Sequence, residues 1–235
     1  MLPVVILAGG LATRLYPKTL KIPKSLVEID GFPFIHHQLL LLKEKGVTQV
    51  ILCVGNFGTL IEEYVGDGSR FGLMVHYSYD GDILLGTGGA IKKATAFLPD
   101  AFMIQYGDSY LDIDIEPIVQ RFYAGIFPVL MTVFLNRNSF DTSNVILQEG
   151  RILKYDKKNR EPAMKYIDYG LLVVRKTIFE DYPPDAAFDL SLVLSQLVAA
   201  GLVTPYEVKQ RFYEIGSDEG IKETGDYIRN RRLHS

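Results

Sequence analysis

The chain has 235 residues, with 25 Lys+Arg against 28 Asp+Glu and a formal charge of −3. That balance argues against a dedicated nucleic-acid binder, which carries a basic excess, and 48% hydrophobic with 23% charged residues argues against disorder. A single cysteine, Cys53, rules out an intramolecular disulfide and a Cys-rich zinc site.

No apolar run approaches the ~18 residues of a membrane span. The N-terminus has no signal-peptide pattern, so a soluble cytoplasmic protein without membrane partners is expected. Residues 3–8 predict a short strand that ends at Gly9-Gly10. Phe34, Ile35, Leu39 and Leu42 have helical spacing and predict a helix over 34–45, stopped by Gly46. Strands are expected at 49–54, 73–79 and 101–106, and helices at 60–65 and 89–97. Cys53 lies in the apolar run 50–54, as a small buried hydrophobe would. Strands alternating with helices predict an α/β fold with a mixed, mostly parallel sheet and helices on both faces.

Beyond residue 115 the pattern becomes β-rich, with strands expected at 129–135, 144–147, 151–155 and 169–175 and a turn at Glu149-Gly150. A helix at 190–200 stops at Gly201, a strand is expected at 212–215, and a polar helix at 217–232 closes the chain. Without a linker, repeat or low-complexity stretch, residues 1–235 read as one domain, with halves 1–115 and 116–235.

The densest chemical signal is Leu7-Ala8-Gly9-Gly10-Leu11-Ala12-Thr13-Arg14, followed by Pro23-Lys24-Ser25-Leu26. A strand that runs into two glycines lets backbone N–H groups approach a phosphate, and Arg14 and Lys24 add positive charge. The string is neither a P-loop nor the G-x-G-x-x-G fingerprint. Two glycines alone read as a tight turn with surface cations. Two further strings follow in order: Leu85-Gly86-Thr87-Gly88-Gly89-Ala90 and Gly107-Asp108-Ser109. Asp108 follows a strand end, where open α/β sheets place their ligands.

Taken together, these strings resemble the signature of the sugar-1-phosphate nucleotidyltransferases. Within that family the chain looks most like single-domain heptose-1-phosphate guanylyltransferases and N-acetylmuramate-1-phosphate uridylyltransferases. Gly66-Asp67-Gly68-Ser69-Arg70-Phe71-Gly72-Leu73 and Ile91-Lys92-Lys93-Ala94 carry much of that closeness. The resemblance implies a Rossmann-like nucleotide-binding half and a β-rich sugar-binding extension. It implies transfer of a nucleotidyl group, GTP favoured, from an NTP to a heptose or other sugar 1-phosphate, giving an NDP-sugar for surface polysaccharide.

The resemblance also implies roles. Leu7, Ala8, Gly9, Gly10, Gly86, Thr87 and Gly88 would contact the nucleotide. Arg14 would stabilise the departing pyrophosphate, and Lys24 would lie near the α-phosphate. Asp108 would bind Mg²⁺. Glu214, in Phe212-Tyr213-Glu214-Ile215-Gly216, stands where relatives carry a second metal-binding aspartate. Its longer arm shifts the reach by about one methylene, ~1.5 Å. Lys157, with Lys158 and Lys165 near it, would hold the sugar phosphate, and Asp168 and Gly170 would contact the sugar.

Other readings stay open. Asp112-Ile113-Asp114 is a D-x-D pattern, which also holds the metal of many glycosyltransferases. A non-catalytic nucleotide-sugar-binding subunit would keep the fold but tolerate loss of Arg14 or Asp108. The four histidines show no metal-ligand spacing. Homo-oligomerisation is left open by the sequence.

Overall fold

The computed structural model describes residues 1–10 and 13–233. The chain opens with β1 (Val4–Leu7), an apolar strand covered on both faces. Val4 and Ile6 face one core and Val5 the other. A hairpin follows, β2 (Glu28–Ile29) and β3 (Phe32–Pro33). Asp30 (φ 49°) and Gly31 (φ 80°) form its turn, an Asp-Gly pair suited to two positive φ angles. The next elements are α1 (Phe34–Glu44), β4 (Gln49–Val54), α2 (Gly58–Val65), β5 (Met74–Tyr79), α3 (Gly86–Ala94) and β6 (Ala101–Tyr106). After them come β7 (Ser109–Tyr110), α4 (Glu116–Tyr123), β8 (Val129–Leu135), β9 (Val145–Gln148), β10 (Arg151–Tyr155) and β11 (Tyr166–Arg175). The last elements are α5 (Leu190–Ala199), β12 (Val203–Val208), β13 (Tyr213–Glu214) and α6 (Asp218–Leu233).

Among the described residues the main sheet has nine strands. β5, β4, β1 and β6 lie side by side and run parallel. β11 runs antiparallel to β6, β8 antiparallel to β11, and β12 forms an edge parallel to β8. The β9–β10 hairpin joins through Val145 opposite Tyr166. This is the mixed, mostly parallel α/β sheet expected from the sequence. α1, α2 and α4 cover one face through Leu39, Ile61 and Phe122. α3 and α5 cover the other through Ile91 and Leu194. α6 packs apart from both, with Ile228 in a small core with Phe34, Tyr110 and Ile215.

Three differences from the sequence reading have physical causes. α4 was not expected, although Pro117 at its first turn and Asp114 before it are start signals; the Asp114 carboxylate accepts the Glu116 N–H at 3.3 Å. β12 was not expected because it contains Pro205, which an edge strand tolerates. β11 begins at Tyr166 rather than 169, with an irregularity between Asp168 and Leu172 where Gly170 adopts φ 101°. Cys53 is buried in β4, and burial pushes its thiol well up.

Strand order reverses at β1, with β4 on one side and β6 on the other, so a crevice opens at the carboxyl ends of β1 and β6. Gly107 makes this junction tight. A Cβ there would lie 2.1 Å from the Leu7 carbonyl oxygen. Gly107→Ala should therefore destabilise the protein by about 1–3 kcal/mol, the range for forcing a methyl group into a packed site. At Gly10 an added Cβ meets nothing within 4 Å, and Gly10→Ala should leave stability within about 0.5 kcal/mol. Urea denaturation of the two variants checks both outcomes.

Candidate active site

A cleft of about 520 Å³ occupies that crevice. Leu7, Ala8, Gly10, Arg14, Lys24, Thr87, Asp108, Lys157, Asp168 and Glu214 all border it, so residues far apart in sequence meet there. Gly9, Gly86, Gly88 and Gly170 do not border it among the described residues.

Asp108 stands just beyond β6. Lys24, on the short 3-10 turn Lys24–Leu26, places its Nζ 3.0 Å from Asp108 Oδ2. Burial pushes the Asp108 carboxyl up, but the charge and hydrogen bond of Lys24 outweigh it and hold the group below the usual carboxylate range. Glu214 reaches the same place through a ladder of two residues per strand, β7 with β13, which sets Glu214 opposite Ser109. The Ile215 N–H donates to the Asp108 carbonyl at 3.0 Å. Two buried glutamines brace this ladder: Gln38 from α1 and Gln105 from β6 donate to the Ser109 carbonyl at 2.8 and 3.0 Å. Burial and the neighbouring Asp108 and Asp141 push the Glu214 carboxyl up to about 7, against the pull of Arg14 and Lys24.

The donor chemistry fits Mg²⁺. Among the described residues no group of three or more His, Cys, Asp or Glu could hold a metal. The pair Asp108 and Glu214 suits an ion that takes one or two carboxylates and completes its shell with phosphate oxygens and water. The lining also carries five carboxylates (Asp108, Asp141, Asp168, Asp189, Glu214) against four cations (Arg14, Lys24, Lys157, Arg160). A cleft of that balance needs added positive charge to receive phosphates.

Arg14 is exposed along the cleft. The Ala8 N–H is already committed to the Cys53 carbonyl at 2.9 Å. Gly9 presses against Gly55, whose nitrogen lies 2.9 Å from where a Cβ would be. Gly10 is the open one. The run 86–89 reaches the cleft through Thr87. Its glycines accommodate the chain itself: a Cβ at Gly88 would lie 2.4 Å from the Phe188 ring. The Phe188 carbonyl accepts the Gly88 and Gly89 N–H groups at 2.9 and 3.3 Å, capping α3. The Thr87 hydroxyl donates to Asp189 at 3.1 Å and accepts the Leu190 N–H at 2.8 Å, which ties α3 to the start of α5.

Lys157 Nζ donates to the Tyr106 hydroxyl at 3.1 Å. Tyr106 donates to Asp168 Oδ2 at 2.5 Å, and Tyr155 donates to the same oxygen at 3.3 Å. Burial first, and Asp168 second, push the Tyr106 phenol well above its usual range. Gly170 is buried behind Asp168 and gives its N–H to Asp168 Oδ1 at 3.1 Å. Arg160 clips two loops together, donating to the Thr142 carbonyl at 2.7 Å and the Lys157 carbonyl at 2.9 Å. Lys158 and Lys165 do not border the cleft. Sequence reasoning missed Tyr106, Tyr155, Asp141, Asn144, Arg160 and Asp189. Of these only Asp189 had a local signal, as an Asp immediately before a helix.

Asp112 lies elsewhere. It pairs with Lys45 at 2.8 Å and Arg231 at 2.6 Å and accepts the Tyr227 hydroxyl at 2.9 Å. These partners hold its carboxyl below the usual range despite burial.

Comparison with known proteins gives the family and the fold. The family model described as nucleotidyl transferase matches residues 3–187. A D-glycero-alpha-D-manno-heptose 1-phosphate guanylyltransferase of Aneurinibacillus thermoaerophilus is 32% identical over 179 residues, covering 75% of this chain and 76% of that one. A UTP–glucose-1-phosphate uridylyltransferase of Synechocystis is 29% identical over 215 residues, 84% of this chain but 55% of that one. The chain thus spans about half the length of that relative. Among solved structures, HddC from Yersinia pseudotuberculosis complexed with GMP-PN is 27% identical with a TM-score of 0.83, covering 97% of this chain and 100% of that one. The inositol-1-phosphate CTP transferase of T. maritima, 22% identical with a TM-score of 0.79 over 96% of this chain and 94% of that one, shares the fold.

Because Glu214 titrates near 7 rather than at the ordinary 4.5, charging it opposes the folded state. The stability it supports is present below about pH 4.5 and is lost as pH rises through about 7. Glu214→Gln removes that loss. In metal-free buffer the variant should melt above the wild type at pH 8, and the difference should vanish toward pH 4.5. Thermal denaturation across that range measures it.

Proposed function

The chain belongs to the nucleotidyl transferase family, and on that premise we propose that it joins an NTP to a sugar 1-phosphate, releasing pyrophosphate and an NDP-sugar. The observation that carries this reading is the meeting of Arg14, Lys24, Asp108, Glu214 and Lys157 around one cleft. An oxygen of the sugar phosphate attacks the α-phosphorus in line. The bond from that phosphorus to the bridging oxygen breaks, and the electron pair leaves with pyrophosphate. Both reactants are anions, so positioning and charge neutralisation supply most of the rate.

Lys157 receives the sugar phosphate at one end of the cleft. In this reading Lys24, held by Asp108 in the absence of substrate, neutralises the α-phosphate. The Arg14 fork suits the several oxygens of the departing pyrophosphate, and the Gly10 backbone leaves room for a phosphate to approach. Asp108 and Glu214 would hold Mg²⁺, which when bound neutralises phosphate charge and orients the phosphoryl oxygens. The buried thiol of Cys53 takes no part, and no covalent intermediate is required.

For the substrates, GTP with a heptose 1-phosphate is our preferred pair. The Aneurinibacillus relative and one from Campylobacter jejuni, 29% identical over 82% of this chain, are both named heptose 1-phosphate guanylyltransferases. UTP with another sugar phosphate is the second reading, after the Synechocystis relative. The glycosyltransferase reading loses its support, because Asp112 is engaged in an ion-pair cluster away from the cleft.

The test is pyrophosphate release with each NTP against a panel of sugar 1-phosphates in Mg²⁺. No release with any pair sinks the proposal. Arg14→Ala and Asp108→Ala should each lower kcat by about 10²–10³, the cost of losing one charge-stabilising group. Asp112→Asn should retain kcat but lower the melting temperature, by weakening the cluster in which Lys45 and Arg231 then keep Glu44 as their remaining carboxylate. Loss of turnover in Asp112→Asn alone would instead move the metal to the D-x-D pattern.

A further inference from the structure

We propose that Asp168 is a positioning residue that touches no substrate, and that it fixes Tyr106 and Lys157 as one anion-receiving unit at the sugar-phosphate end of the cleft. This rests on the nucleotidyltransferase reading above and departs from the direct sugar contact that the sequence suggested for Asp168.

The Asp168 side chain has 0% exposure, and both its oxygens are engaged from within the protein. Oδ2 accepts the Tyr106 hydroxyl at 2.5 Å and the Tyr155 hydroxyl at 3.3 Å, and lies 3.8 Å from Lys157 Nζ. Oδ1 accepts the Gly170 N–H at 3.1 Å. The Asp168 N–H donates to Asn144 Oδ1 at 2.9 Å. A buried carboxylate is costly unless its charge and lone pairs are satisfied. Here two phenols, one amide and one ammonium satisfy it, and its complete burial keeps the remaining lone pair of Oδ1 away from a sugar hydroxyl.

The donor directions run one way. A phenol has a single proton, and Tyr106 gives it to Asp168. Its lone pairs are therefore left to accept from Lys157 Nζ at 3.1 Å, and the ammonium also rests 4.2 Å above the Tyr106 ring. A lysine is a point charge on a flexible stem with three donors. One donor is anchored on Tyr106, and the side chain stays 37% exposed toward the cleft. The other donors can meet a phosphate without first losing the freedom of the stem. The backbone prepares this arrangement. The positive φ of Gly170 (101°) turns its N–H onto Asp168 at the point where β11 loses register with β8.

The experiment is steady-state kinetics with the substrate pair that the wild type accepts. Asp168→Asn should raise KM for the sugar 1-phosphate about tenfold or more, the size of a lost hydrogen bond to a charged group. KM for the NTP should stay within about twofold. By charge alone, removing a carboxylate 3.8 Å from the ammonium would tighten anion binding, so a weakened KM separates positioning from simple electrostatics. Tyr106→Phe should reproduce the effect, and the double variant should be no worse than either single one, because the groups act in series. Unchanged or improved KM in Asp168→Asn overturns the proposal. So does a normal Tyr106→Phe beside an impaired Asp168→Asn, which would mark direct sugar contact.

If Asp168→Asn does not fold, Tyr106→Phe and Tyr155→Phe carry the test, with the larger rise expected for Tyr106→Phe; no rise in either overturns the proposal. A wild type that releases no pyrophosphate overturns the functional reading instead. Positioning is then read from calorimetric titration with inorganic phosphate, which Tyr106→Phe should weaken and whose insensitivity to that change would overturn it.

Discussion

The pairing of Ser109–Tyr110 with Tyr213–Glu214 brings the far end of the chain to the mouth of the central sheet. Without it Asp108 would stand alone beyond β6, and Glu214 would be a solvated acid on the approach to α6. So short a ladder contributes little by itself, and its surroundings hold it. The Gln38 and Gln105 amides converge on the Ser109 carbonyl. The Thr224 hydroxyl reaches the Glu214 carbonyl at 3.3 Å from α6. Ile215 is fully buried beside Phe34 and Tyr110. The small core under α6 thus serves the position of a carboxylate more than the stability of the sheet.

Two acids held close in a partly dry cleft repel each other, and the structure shows the strain in opposite directions. Asp108 is stabilised as an anion by Lys24, while Glu214 takes much of the penalty. Neighbouring carboxylates with separated affinities for protons are a common mark of sites that hold cations or move charge. The Asp168 cluster solves a similar problem differently. It buries its charge completely and satisfies it with phenols, so that a nearby ammonium is held steady instead of being neutralised at the surface.

The parallel half of the fold was legible because buried parallel strands leave continuous apolar runs, as in residues 50–54, and because glycines mark their ends. The loop cations and Asp108 were legible because they sit in short strings tied to those ends. The hairpin at Asp30-Gly31, α4 and β12 carried weaker marks. A two-residue strand has no periodicity, α4 is short, and Pro205 argues against a strand unless the strand is known to be an edge. Of the Tyr106–Tyr155–Asp168 cluster the sequence marked Asp168 alone; the two tyrosines had no mark, since the three come from three strands and meet only through the register of β6, β10 and β11. The glycines at 86–89 were visible, but the sequence could not show that Phe188 fills the space beside them.

That filling has an evolutionary consequence. Where glycines are pressed against backbone, as at Gly107 against Leu7 or Gly89 against Ala186, almost any substitution collides, so these junctions can drift very little. Loops 136–144 and 156–165 are different. They are largely exposed and are joined by Arg160 on the Thr142 carbonyl and by the backbone N–H groups of Asn136 and Arg137 on the Lys165 carbonyl, contacts that do not depend on neighbouring side-chain identity. Side chains there can be exchanged, one at a time, around Lys157, which Tyr106 holds in place. A scaffold of this kind can reshape one end of its cleft by drift in its loops while the end of β6 stays unchanged.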